Sequence, residues 1–179
     1  MRHRLRPSAL AALIPLILLG CGLLRFEVEQ EDESTIEGAG LLGEVLGALD
    51  FTGLDDFQTS IDGELEDQGV APGDLKHVQL IAFELQAEPD LAFVERLDVY
   101  VSADGVDEVR VASGEGFAPG QTEIALQLDG AELVEHVVAG GLRFRAEATG
   151  SAPVDDTALT TRVVVAVEAT AQGACNQAR

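Results

Sequence analysis

Catalysis at neutral pH needs a group that titrates near neutrality, or a nucleophile beside a base. Few residues of this 179-residue chain qualify. Beyond His3, histidine occurs only at His77 and His136. The first opens a strand-like stretch beside Lys76 and the second falls in a short helical segment, so both read as surface or packed histidines. Ser113 in Ala112-Ser113-Gly114 lacks the glycine two positions upstream that a nucleophile elbow requires. No histidine pair has zinc-protease spacing, and no glycine-rich loop precedes a helix to cradle phosphate. The acid pairs Asp55-Asp56, Glu66-Asp67 and Asp155-Asp156 have the residue types of glycoside hydrolysis, but among 32 acids such pairs arise by composition. Hard oxygen ligands for calcium are best grouped at Asp104/Asp107/Glu108 and at Asp155/Asp156, with no EF-hand spacing. The expectation is a non-enzyme with no cofactor and no resident metal.

The amino terminus carries a stronger signal. Arg2, Arg4 and Arg6 precede the uncharged run Ala9–Leu19, the order of a basic n-region and a short apolar h-region in a secretory signal. Ser8–Leu24 is 17 residues, is broken by Pro15 and holds Gly20 and Gly22. A spanning helix needs about 20 apolar residues. The run closes on Leu18-Leu19-Gly20-Cys21, which resembles the lipobox of bacterial lipoproteins: an aliphatic residue, a tolerant position, a small residue, then cysteine. The resemblance covers the signal alone. It implies diacylglycerol on the Cys21 thiol, cleavage between Gly20 and Cys21, and acylation of the new amino terminus with a fatty acid such as palmitate. Several chains anchor firmly because each buried methylene contributes ~0.8 kcal/mol, whereas one chain holds only marginally. In the same family an aspartate after the cysteine favours inner-membrane retention; Gly22 stands there and favours the outer membrane.

Removal of residues 1–20 leaves 159 residues, the size of one domain, here 21–179. It also removes three arginines, taking the formal charge from −21 to −24. The acids are spread along the chain, as on a solvated surface. Nucleic acid is excluded as a partner, since no basic patch is present to release counterions from phosphate. Electrostatic docking on anionic lipid is excluded for the same reason, leaving the acyl chains as the anchor. Lys76 is the only lysine. The acidity is explained first by solubility; salt adaptation and calcium binding are the other readings. With Cys21 acylated, Cys175 has no intramolecular partner, leaving a free thiol near the carboxyl terminus or an intermolecular bridge.

Beyond the signal, residues alternate between apolar and polar. Leu24–Glu29 reads as a strand beginning three residues after Cys21, with almost no tether, so the domain should sit close to the bilayer. Gly38–Asp56 places Leu41, Leu42, Val45, Leu46 and Leu49 at helical spacing among glycines, a short helix or an apolar loop. Gln58–Glu64 reads as a short strand and Leu65–Asp74 as a turn. His77–Ala87 reads as a strand with Ile81, Phe83 and Leu85 on one face. Leu97–Ser102 and Val109–Ala112 form a hairpin about Asp104-Gly105. Thr122–Asp129 is a strand with Ile124, Leu126 and Leu128 inward, and Asp129 caps a brief helix over Ala131–Val138. Leu142–Thr149 and Thr157–Thr170 complete the set.

Seven or so strands and no long amphipathic helix predict an all-β, antiparallel β-sandwich with one or two short helices. An immunoglobulin-like Greek key comes first and a jelly roll second. The function expected is a lipid-anchored envelope lipoprotein with a non-catalytic interaction module, its partner an envelope protein or a glycan. A calcium- or carbohydrate-dependent adhesin is the alternative, and a carboxylate-based hydrolase the third.

Overall fold

The computed structural model describes residues 24–38, 48–49, 54 and 57–170. Cys21, most of Gly38–Asp56, the pair Asp55-Asp56 and Cys175 lie outside them. Alternation from Leu24 to Ile36 builds a 13-residue strand, β1. Then come β2 (Ala48–Leu49), α1 (Phe57–Asp67) and a tight helical turn at Pro72–Asp74. The chain continues through β3 (Leu75–Glu88), β4 (Val94–Ala103), β5 (Val106–Glu115), β6 (Glu123–Ala125) and β7 (Gln127–Leu128). It ends with α2 (Val134–Val138), β8 (Arg143–Gly150) and β9 (Thr157–Ala169).

Two antiparallel sheets result, ordered β1-β9-β3-β6 and β2-β8-β4-β5-β7. The pairings are nested: β1 with β9, β2 with β8, β3 with β6, and β4 with β5. Nested pairing is one long hairpin rolled up, and the additional β3–β9 and β4–β8 pairs close the roll. This is jelly-roll connectivity. The antiparallel β-sandwich is as the alternation predicts, but the immunoglobulin-like order placed first is corrected to the second choice. An immunoglobulin-like sheet sets the first strand beside the second. Here β1 is taken along its whole length by the last strand, from Leu24 opposite Ala169 to Ile36 opposite Thr157.

The core lies between the sheets. Val78, Phe83, Leu85, Val163, Val165 and Val167 face Leu97, Val99, Val101, Val111, Phe144 and Ala146, all buried. Each large apolar side chain of this set contributes roughly 1.5–3 kcal/mol of transfer free energy. As the central strand of its sheet, β9 is apolar on its outward side too: Val164 and Ala166 are buried between flanking side chains of β1 and β3. That explains its unbroken β-branched run.

Three local expectations are corrected. Gln58–Glu64 is not a strand but the body of α1, because Phe57, Ile61 and Leu65 recur every four residues and all three are buried. The helix closes the side of the sandwich between β1 and β8: the Ser60 hydroxyl donates to Gln30 Oε1 at 3.2 Å, and Gln58 Oε1 accepts from the Leu142 amide at 3.1 Å. Along β3 a shift between Leu80 and Ala82 turns Ile81 outward, where it is 39% exposed, while Leu80 and Phe83 stay inward. Asp129 does not cap a helix; α2 begins after Leu133 with no side-chain cap, and Asp129 binds Arg110 instead.

Candidate functional site

The residues singled out for chemistry do not converge. His77 is exposed, with Nδ1 at 2.9 Å from Glu132 Oε2, while Glu132 Oε1 accepts from the Val78 amide at 2.7 Å. His136 is buried in α2; its Nε2 meets the Asp107 carbonyl at 3.1 Å, and Nδ1 has no partner among the described residues. Two of the three acids considered for calcium about the β4–β5 turn are taken by arginine: Asp104 accepts from Arg143 at 2.7 Å, and Glu108 takes a two-pronged contact from Arg145 at 2.6 and 3.0 Å. In the late loop, Asp156 accepts the Gly38 amide at 2.9 Å. Glu66 and Asp67 end α1 on its exposed side. Among the described residues no three metal-ligating side chains approach one another. No helix among them is long and apolar enough to cross a membrane.

What the fold does assemble is a ladder of ion pairs on the outer face of β8, β4 and β5. Arg96 donates through Nε and Nη2 to both oxygens of Asp98, at 2.6 and 2.9 Å. Arg110 donates to Asp98 at 3.1 Å and to Asp129 at 2.6 Å. The Asp98 side chain is only 12% exposed, so the hydrogen bonds from Arg96, reinforced by both guanidinium charges, outweigh burial and hold its carboxyl below the ordinary range. Its folded pKa being depressed, Asp98 stabilises the fold at pH above its unfolded value of about 3.9, and that stability is lost as pH falls through the folded value. Asp98→Asn is expected to lower stability at pH 7 by roughly 1–3 kcal/mol and to flatten the loss of stability as pH falls below the ordinary carboxylate value of about 4, as read by urea melts at falling pH.

Further along the same face, Arg145 bridges Glu108 and Glu147, at 2.6 Å to the latter, and lies 4.8 Å over the Tyr100 ring. Tyr100 is the only tyrosine, and the chain has no tryptophan. Its ring is thus covered on one face by the guanidinium, which removes that face as a stacking platform for a sugar.

Beside the ladder lies a cleft of about 490 Å³, opened where one stretch of chain serves both sheets. Residues 123–125 pair with β3 and residues 127–128 with β5, so beyond Ser113 the end of β5 stays paired with β4 but has no neighbour on its other edge. Arg96, Arg110, Gln121, Gln127 and Asp129 line the opening together with Ser113. Phe117 and Ile124, both largely buried, supply its apolar wall. Gly114 makes the wall possible, because a Cβ there would stand 2.7 Å from Leu126 Cδ2 and 3.0 Å from the Phe117 ring. Ser113 therefore lies in a concave site, and no histidine lines that site with it. Sequence reasoning missed Arg96, Asp98, Arg110 and Asp129. The i, i+2 spacing of Arg96 and Asp98 on one face of β4 was a readable signal, whereas the partners on β5 and after β7 were not.

A second concavity, about 520 Å³, sits on the outer face of the other sheet between Glu31, Glu84, Glu123, Thr160 and Arg162. Arg162 is held by Glu29 at 2.6 Å and Glu84 at 2.8 Å. With Glu27, Glu31 and Glu33 also outward on β1, this face is acidic, whereas the ladder face interleaves both signs.

No family model matches the chain, and no curated protein matches it. Among solved structures, a chain described under the triple jelly roll fold and turret assembly of an archaeal virus is similar over 83% of this chain, at 11% identity and a TM-score of 0.35. The present chain covers 31% of that one, about a third of its length.

Proposed function

We propose that this chain is a lipid-anchored lipoprotein of the bacterial cell envelope whose jelly-roll domain binds a partner rather than catalysing a reaction. One observation carries the reading: Leu18-Leu19-Gly20-Cys21 closes a short apolar segment behind three arginines, and a folded strand begins at Leu24. Acyl chains on Cys21 would supply the membrane affinity that a surface this acidic cannot draw from anionic lipid. Gly22 favours the outer membrane in a double-membraned cell. A binding role is supported by the ligand-sized polar cleft and by the scatter of the titratable candidates. Cell fractionation tests the anchor. Wild-type protein is expected in the membrane fraction and Cys21→Ser in the soluble one; equal distribution of the two would remove the proposal.

A second reading is favoured by the lining of the cleft. Arg96, Arg110 and the amide groups of Gln121 and Gln127 donate, while Asp129, Glu115 and the amide oxygens accept. The Arg96–Asp98–Arg110–Asp129 ladder alternates in charge, so the cleft suits a neutral polyhydroxylated ligand such as a glycan better than an ion. Titration with glucose, galactose and mannose, followed by amide chemical shifts, is expected to move Ser113, Gln121 and Gln127 first. Unchanged shifts with all three and with their oligosaccharides would eliminate a glycan and leave a protein partner.

A further inference from the structure

Strand pairing sorts the ends of the sandwich. At one end Leu24, Ala169 and Leu75 lie in register, and the Thr170 amide donates to the Asp74 carbonyl at 2.7 Å. The same end holds α2. The Leu133 amide donates to the Val78 carbonyl at 2.8 Å, and His136 ties the helix to Asp107 near the start of β5. At the other end stand Ile36 opposite Thr157, Glu88 opposite Ala158, Gly150 opposite Val94 and Arg96 opposite Glu115. The cleft residues Glu115, Phe117 and Gln121 belong to that far end.

Cys21 and Leu24 are three residues apart, so even a fully extended link spans no more than ~10 Å. Thirteen residues of β1 place the far loops roughly 40 Å further along the strand. From this geometry we infer that the α2 end is a bilayer-facing surface, which seats the tip Val138-Ala139-Gly140 on an uncharged lipid surface and presents the cleft away from it. The inference rests on acylation of Cys21. Val138 is 52% exposed and, with Ala139 and Gly140, forms an uncharged, exposed tip. Around it stand Glu135 on α2, Asp74 in the adjoining turn, Asp107 at the start of β5 and Asp104, which Arg143 pairs; the acidic excess disfavours anionic headgroups and suits a zwitterionic surface. Val154, 62% exposed in the loop between β8 and β9, marks the far end and provides the internal comparison.

The test uses the full-length acylated protein reconstituted in phosphatidylcholine vesicles carrying doxyl-labelled lipid. Environment-sensitive fluorophores are placed through Val138→Cys or Val154→Cys, each with Cys175→Ser. Both positions are exposed, so the fold should tolerate either label. Quenching at position 138 is expected to exceed that at 154 by at least twofold, with both proteins co-floating with vesicles. Co-flotation with equal quenching, stronger quenching at 154, or none at either position overturns the orientation while leaving the anchor standing. Failure to co-float overturns the anchor and the orientation together.

Discussion

Gly150→Ala is expected to lower the thermal midpoint of the domain by roughly 10 °C or more, and to leave much of the protein insoluble on expression. Gly150 has φ +141°, and a Cβ built there lies 2.2 Å from the Phe93 carbonyl oxygen and about 3 Å from the Glu95 nitrogen and Val94 Cα. All three are backbone atoms, so no rotamer change relieves the clash. Here β8 ends against β4, where Gly150 opposes Val94, the register shifts before Arg96, and the Ser151 amide donates to the Phe93 carbonyl at 3.1 Å. Backbone strain of about 1–3 kcal/mol and overpacking of about 1–3 kcal/mol would consume much of a stability that is ordinarily 5–15 kcal/mol. At this chain length each kilocalorie shifts the midpoint by roughly 2–4 °C. Gly140→Ala is the control: φ there is +71°, but nothing lies within 4 Å of the added carbon. It should cost about 1 kcal/mol, from backbone conformation alone. Equal midpoints for the two variants would refute the close approach at Gly150.

Phe144→Ala is expected to destabilise by about 3–5 kcal/mol. Phe144 is where three parts of the chain meet: its ring packs edge-on against Phe57 of α1 at 5.4 Å and tilted against Phe83 of the opposing sheet at 6.4 Å. Phe57 and Phe83 are essentially fully buried, so truncation leaves a cavity that close packing fills poorly. Favourable aromatic pairing is lost as well. Val138→Ala removes a more exposed side chain and should lie within ±0.5 kcal/mol of wild type. Urea unfolding of the pair separates the outcomes, since the Phe144 variant should shift its midpoint sharply with little change in slope. A loss below 1 kcal/mol would mean that α1 and the two sheets do not share this packing centre.

Most strands were legible because side-chain alternation is a local property, written into each segment wherever one face meets the core. The Leu24–Glu29 alternation, the hairpin about Asp104-Gly105 and the valine run of β9 all stand where they were read. Connectivity was not legible. Whether β1 pairs with its successor or with the final strand depends on contacts more than a hundred residues apart, and the alternation is identical in both cases. The displacement of Ile81 depends on its neighbours in the same way, since the bulge is a property of the pairing with β9. The helix α1 carries a mixed signal: Phe57, Ile61 and Leu65 have helical spacing, but Gly63 and the polar residues between them weaken the helical propensity. Of the candidate site, Arg96 and Asp98 share a strand face at i, i+2, while Arg110 and Asp129 reach them only through the fold. Asp129 had the chemistry of a helix cap, and a guanidinium at 2.6 Å claimed it instead.

The anchor is tested most directly by the intact mass of the full-length protein expressed in a bacterial host and purified from its membranes, beside Cys21→Ser. The wild type is expected to lose residues 1–20 and gain the mass of two or three acyl chains, all localised to Cys21, and the variant to carry none. A wild-type protein that begins at another residue, or begins at Cys21 without acyl mass, would contradict the account.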